Sequence, residues 1–156
     1  MVGRSIDIGG LENERNILRY RPAPTQVRGC ADAKLVDVAR VVAAGLLAAG
    51  DDISVCLDPS LDEGLGRALR SAGVAVTTAS DEDWYASLGA SRVRLVGGNP
   101  SRAADEADGD PDLALWANEV TSAPQVELLP FLREQSVSMT AHRFGNPDAG
   151  VLSVRL

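Results

Sequence analysis

The sequence has almost no lysine. Its fifteen cationic side chains are fourteen arginines and the single Lys34, set against twenty-two carboxylates for a formal net charge of −7. A balance of that sign is repelled, on average, by nucleic acid and by anionic membranes. The Arg19-Tyr20-Arg21 strip is too small a basic footprint to reverse it. Aromatic residues make up only 4% of the chain, so the core must come from Val, Leu, Ile and Ala, which favours close packing of helices on a sheet. Long apolar runs are missing too. Nothing approaches the roughly 18 consecutive apolar residues of a membrane-spanning helix, and Met1-Val-Gly-Arg-Ser-Ile-Asp7 has no apolar signal core.

Two cysteines, Cys30 and Cys56, are too few for a disulfide framework, and a cytoplasmic setting is expected. Neither has a sequence context that would activate a thiolate, and Cys56 falls mid-strand as a small core residue. His142 is the only histidine, without an activated Ser or Cys beside it to form a triad. Two cysteines and one histidine are also a ligand short of a zinc site. No catalytic residue and no metal site are therefore expected.

What is present is a regular alternation. A short strand near Gln26–Gly29 leads to a helix from about Asp32 to Ala49, with Asp32 as N-cap, Gly50 past its end, and a stripe of Leu35, Val38, Ala39, Val42 and Leu46. Val36, Val41 and Leu47 lie off that stripe. Ile53–Leu57 reads as a buried strand, and Ser60 with Glu63 as a capping box opening a helix to Ala72. Val74–Thr78 is a strand, Ser80 caps a helix to about Leu88, and Arg92–Val96 is the next strand. The Gly97-Gly98-Asn99-Pro100 turn leads into a short helix, and Leu113–Ala117 closes the series. Short strands separated by helices predict an α/β, Rossmann-like three-layer fold around a parallel sheet of about five strands, with 3-2-1-4-5 the expected order.

Both ends depart from this pattern, which divides the chain into an N-terminal arm over 1–25, a Rossmann-like body over 26–120 and a C-terminal motif with a β-flap over 121–156. Ile17–Arg21 reads as an edge strand ended by Pro22. Val126–Gln135 has helical spacing interrupted by Pro130. Ser136–Thr140 alternates like a half-buried strand, His142–Pro147 reads as a turn and Val151–Leu156 as a last strand. A two-stranded flap of this kind needs a partner surface to be stable.

The glycine clusters are poor phosphate sites. Gly64-Leu-Gly66-Arg-Ala-Leu69 sits inside a helix and has Leu69 in place of a third glycine. Gly97 and Gly98 are better placed, at a strand's C-terminal end before a helix, and are the only weak candidates for cofactor binding. Asp105 to Asp112 is an acidic segment, but setting Gly109 as an EF-hand glycine puts Ala104 and Leu115 at ligand positions. It reads as a solvated loop.

The stretch Val126-Glu-Leu-Leu-Pro-Phe-Leu-Arg-Glu-Gln-Ser-Val-Ser-Met-Thr-Ala-His-Arg-Phe-Gly145 resembles the C-terminal motif of bifunctional proline-utilisation flavoenzymes. Asn16-Ile-Leu-Arg-Tyr-Arg-Pro22 and Trp116-Ala-Asn-Glu-Val-Thr121 look like segments of the same family, while the middle of the chain matches only in architecture. These enzymes join proline dehydrogenase to L-glutamate-γ-semialdehyde dehydrogenase. Their long members carry a C-terminal domain of aldehyde-dehydrogenase ancestry that has lost catalysis. The resemblance implies a docking domain that packs on the aldehyde dehydrogenase module, stands in for a dimer partner and helps cover the cavity through which the intermediate passes. It implies FAD and NAD in the parent enzyme and no cofactor in this domain. The docking residues are expected at Leu128, Leu129, Phe131, Arg133, Val137, Met139, His142, Arg143 and Phe144, with homo-oligomerisation through the flap as a further possibility. The family's nucleophilic Cys and general-base Glu contexts are absent: Cys30 lies in Arg-Gly-Cys-Ala. The alternative expectation is a Rossmann-like module that binds a nucleotide or small molecule.

Overall fold

The computed structural model describes residues 4–11, 14–143, 146–147, 150 and 153–154. Along the chain the strands are β1 (Ile6–Asp7), β2 (Glu14–Pro22), β3 (Thr25–Gly29), β4 (Ile53–Leu57), β5 (Ala75–Thr78), β6 (Arg92–Val96), β7 (Ala114–Trp116), β8 (Leu132–Thr140), β9 (His142–Arg143) and β10 (Asn146–Pro147). The helices are α1 (Leu35–Ala49), α2 (Glu63–Ser71), α3 (Asp81–Ala86), α4 (Pro100–Glu106) and α5 (Pro124–Glu127). The chain divides into two compact units, a body over Ala23–Phe131 and a strand unit of Met1–Pro22 with Leu132–Leu156.

In the body, five parallel strands stand in the order β5-β4-β3-β6-β7, the expected 3-2-1-4-5 arrangement of a Rossmann-like sheet. Right-handed crossovers send α1 and α2 to one face and, after the reversal at β3, α3 and α4 to the other. Alternation along the strands does the rest. Gly29 faces Val38 of α1, whereas Val93 and Leu95 join Cys30, Cys56, Trp84, Tyr85 and Ala103 in a cluster with α3 and α4.

The helix signals hold in kind and shift in position. The α1 N-cap is Lys34, and the Asp32 carboxylate instead accepts a hydrogen bond from the Gly98 amide at 2.6 Å. The buried face of α1 is Val38, Val41, Val42, Gly45 and Ala48 with their neighbours, so the stripe read from Leu35 and Leu46 is out of phase by part of a turn. Gly45 is needed there because a Cβ would lie 2.8 Å from the Phe131 ring. Asp62 caps α2, displacing the expected Ser60, whose hydroxyl donates to Asp58 at 2.6 Å. Ser80 caps α3 and Asn99 caps α4, their side-chain oxygens accepting from backbone amides of the first turn.

The region around Pro130 differs most from the reading of its pattern. In place of one kinked helix over 126–135 there is α5, a single 3-10 turn at Leu129–Phe131, and then β8, which begins at Leu132. Proline removes the amide that a continuing helix would need, and the chain turns extended after it.

In the strand unit, β2 is the middle strand of the order β1-β2-β8 and not an edge. It pairs antiparallel with β8 over nine residues, from Glu14 opposite Thr140 to Pro22 opposite Leu132. The flap strand therefore finds its partner at the start of the chain. The last strand expected at Val151–Leu156 lies mostly outside the described residues, and β9 and β10 pair with each other across the expected turn.

Candidate functional site

Two buried arginines organise the body, one on each face of the sheet. On the α3 side, Arg28 is fully buried and bonds Asp81 at 2.5 Å, the Ala79 carbonyl at 3.0 Å and the Cys56 sulfur at 3.2 Å, with Asp58 at 3.6 Å. Burial opposes the charge on Arg28, but the bond to Asp81 and the nearby sulfurs more than offset it. Burial by itself would raise Asp58, yet donors from the Ser60 hydroxyl and amide, the Asp81 amide and Arg28 together hold its carboxyl below the usual range. The guanidinium also lies over the Trp84 ring, 5.4 Å from its centroid.

On the α1 side, Arg94 is fully buried and pairs with Glu127 at 3.1 Å. It donates as well to the carbonyls of Leu95, Trp116 and Asn118, at 3.0, 3.3 and 2.8 Å. Glu127 closes the circuit by accepting from the Thr121 amide at 2.7 Å. The glutamate of the Glu127-Leu-Leu-Pro motif thus clamps the segment after β7 onto the sheet. Sequence reading missed both arginines. The available signal was an arginine directly flanked by non-polar residues in each of two strands, Val27-Arg28-Gly29 and Val93-Arg94-Leu95, where a buried charge survives only if paired.

A cleft of about 330 Å³ opens at the C-terminal ends of β3 and β6, where the strand order reverses. Such a crevice is where open α/β sheets bind ligands. Its lining includes Asp32, Lys34, Asp37, Gly97, Gly98 and Glu119. Gly97 and Gly98 both have positive φ, 72° and 73°, and a Cβ on Gly97 would run into Asp32, while one on Gly98 would lie 2.6 Å from the Cys30 sulfur. The glycines are thus accounted for by tight backbone packing, and the Gly98 amide is taken up by Asp32. The Asn99 amide donates to the Tyr85 hydroxyl at 2.8 Å, and the Asn99 side chain holds the first amides of α4. With three carboxylates and one lysine, the cleft has the wrong sign for a pyrophosphate.

Cys30, beneath this cleft, is fully buried. Burial, reinforced by Asp81, pushes its thiol up to about 12, leaving it protonated and a poor nucleophile at neutral pH. Cys56 is buried beside Arg28.

The opposite property, apolar surface left in water, is concentrated on α1. Leu35, Val36, Leu46 and Leu47 are 40%, 60%, 39% and 80% exposed, and Ala39 and Ala43 on the same outer side are also exposed. The helix packs beside α5 and the 3-10 turn, which add exposed Val126 and Leu129. An outward helix face this apolar, broken mainly by the Arg40–Asp37 pair, has the character of a contact surface.

The residues expected to dock separate in the structure. Leu129 is exposed and Leu128 is half-buried. Phe131 is corrected: it is fully buried inside the body against Gly45, because Pro130 turns it inward. Arg133 is exposed opposite Arg21, and Val137 and Met139 are half-buried opposite Ile17 and Arg15. His142 and Arg143 form β9, and Phe144 lies outside the described residues. Among the described residues no cluster of three metal-ligating side chains is found, and no helix is long and apolar enough to cross a membrane.

No protein-family model and no curated protein matches the chain. Among solved structures it is similar to Proline Utilization A (PutA) from Corynebacterium freiburgense, at 24% identity with a TM-score of 0.54. The likeness covers 92% of this chain and only 12% of that protein.

Proposed function

We propose that the chain is a non-catalytic docking domain of a bifunctional proline-catabolic enzyme, working in the cytoplasm. It packs on the aldehyde dehydrogenase module of that enzyme and helps to cover the cavity through which the intermediate passes. The observation that carries this reading is the fold likeness to PutA, which takes in 92% of this chain but 12% of the PutA chain, the proportion of one domain within a large enzyme. The motif resemblance at both ends points the same way. So does the division of labour inside the body. Its cysteines are buried, with Cys30 held protonated, while its apolar surface is displayed outward on α1. A group that must attack a substrate needs the reverse arrangement.

The test is reconstitution. PutA lacking the segment that aligns with this chain is mixed with the chain, and the lag between proline oxidation and NADH formation is measured. The docking reading expects association and a shortened lag, with no NADH produced by the chain alone. No association at high micromolar concentration, or NAD-dependent oxidation of glutamate semialdehyde by the chain itself, overturns it.

The switch-point cleft supports a second reading, a module that binds a nucleotide or small molecule. Its acidic lining and the Gly98 and Asn99 amides, both already bonded to side chains, weigh against NAD. Calorimetry with NAD separates the two, since heat saturating at micromolar ligand belongs only to the second.

A further inference from the structure

On the strand unit, Arg21 stands directly opposite Arg133, and Arg19 directly opposite Gln135. Alternation puts these four side chains on one face, where they line a cleft of about 370 Å³ with Pro22 and Glu134. Like charges facing each other across a strand pair destabilise it. Here nothing internal among the described residues relieves them. Among the described residues neither Arg21 nor Arg133 has a hydrogen-bond or ion-pair partner, and Arg19 donates only to the Gln135 side-chain oxygen, at 2.7 Å. Glu134, the one carboxylate among the described lining residues, takes the Tyr20 hydroxyl at 3.1 Å. The setting makes the cluster more pointed. The strand unit has seven arginines against five carboxylates, a net +2, whereas the body has eight cations against seventeen carboxylates, a net −9.

A second feature lies alongside. β8 ends the order β1-β2-β8, so along its nine residues the outward backbone groups have no strand partner among the described residues. Such an edge is a template for another strand. A charged side chain such as Arg133 on an edge strand is a common deterrent to indiscriminate edge pairing.

We infer that the β8 edge and the Arg19–Arg21–Arg133 cluster form one recognition surface for an acidic, extended segment of a partner protein. The segment adds antiparallel to β8 and directs carboxylates from alternate residues into the cleft. Main-chain bonds supply the register and the guanidinium groups supply the selection, since planar guanidinium matches carboxylate in paired hydrogen bonds. Arg21 and Arg133 are exposed, and a free small anion gains little at exposed arginines in water, so the backbone pairing is required. The inference rests on the strand unit alone and does not depend on the parent-enzyme reading.

The test uses the full chain and a fluorescent acetyl-(Thr-Glu)4-amide peptide, whose carboxylates all fall on one side when extended. Binding is expected by anisotropy, at least about tenfold tighter than for the (Thr-Gln)4 peptide, weakened by salt, and lost in R21Q/R133Q. The double variant removes an unfavourable pair, so its melting temperature should equal or exceed that of the wild type. If it does not fold, salt dependence and the Gln peptide comparison on the wild type still decide. Equal binding of the two peptides shows an edge that does not read charge and overturns the inference. So does absence of binding at millimolar peptide, or binding of free glutarate as tight as that of the peptide. Self-association of the wild type that disappears in R21Q/R133Q would make the occupant a second copy and equally overturn it.

Discussion

In the body three of the four strand pairs, β3–β4, β4–β5 and β6–β7, are joined by a single helical crossover, whereas β2 and β8 come together from opposite ends of the sequence, with the whole body intervening. The body buries Arg28 and Arg94, each held by a carboxylate and by backbone carbonyls, with only the Nε of each left without a hydrogen-bond partner among the described residues. The strand unit leaves Arg21 and Arg133 facing each other in the open. Local crossovers close a buried core within the body. A sheet of three strands, one of them only two residues long, has little core of its own and depends on what it touches.

The comparison can be broken hardest at Arg28. Arg28→Ala strands Asp58 and Asp81 without their guanidinium and should cost the body about 3–5 kcal/mol, read from urea unfolding. A loss under about 1 kcal/mol would mean that the carboxylates find water, and that the buried cluster is not what holds α3 to the sheet. Next in size is Val137→Pro in the middle of β8, opposite Ile17. Hydrogen exchange should quicken at least about tenfold along β2 and β8 while amides of β3, β4 and β6 keep their protection, as expected of separate cooperative units. Equal loss in both units would show that they unfold as one.

A pH experiment sharpens the contrast between buried and displayed chemistry. The Cys30 thiol is held up to about 12 in the fold against an ordinary value of 9.0. Folding therefore favours the protonated thiol, so its contribution is complete below pH 9 and falls as pH rises from 9 toward 12. Thiol reagents at pH 8 should label Cys30 and Cys56 only after denaturation; rapid labelling of the native chain would contradict their burial. The smallest effect is expected at Leu47, 80% exposed on α1. Leu47→Glu should change stability by no more than about 0.5 kcal/mol and abolish docking to the shortened PutA.

The body was legible because its signals are local. The strand Arg92–Val96 has the bounds read from the sequence, and Ser80 caps its helix. Asp32 and Ser60 were misread as caps because each is a good local acceptor or donor that tertiary structure uses elsewhere, on Gly98 and Asp58. The phase of α1 was misread because Leu35 and Leu46 count as apolar in any periodicity although both stay partly in water. The pairing of β2 with β8 was not legible at all, since no pattern within either strand names a partner at the other end of the chain.

The account stands on docking through the outer face of α1, and hydrogen exchange of the chain with and without the shortened PutA tests it most directly. The account predicts slowed exchange on α1 and over 126–129, with the rim of the 330 Å³ cleft at Gly97 and Gly98 unchanged. Protection confined to that cleft, with α1 exchanging as in the free chain, would contradict it.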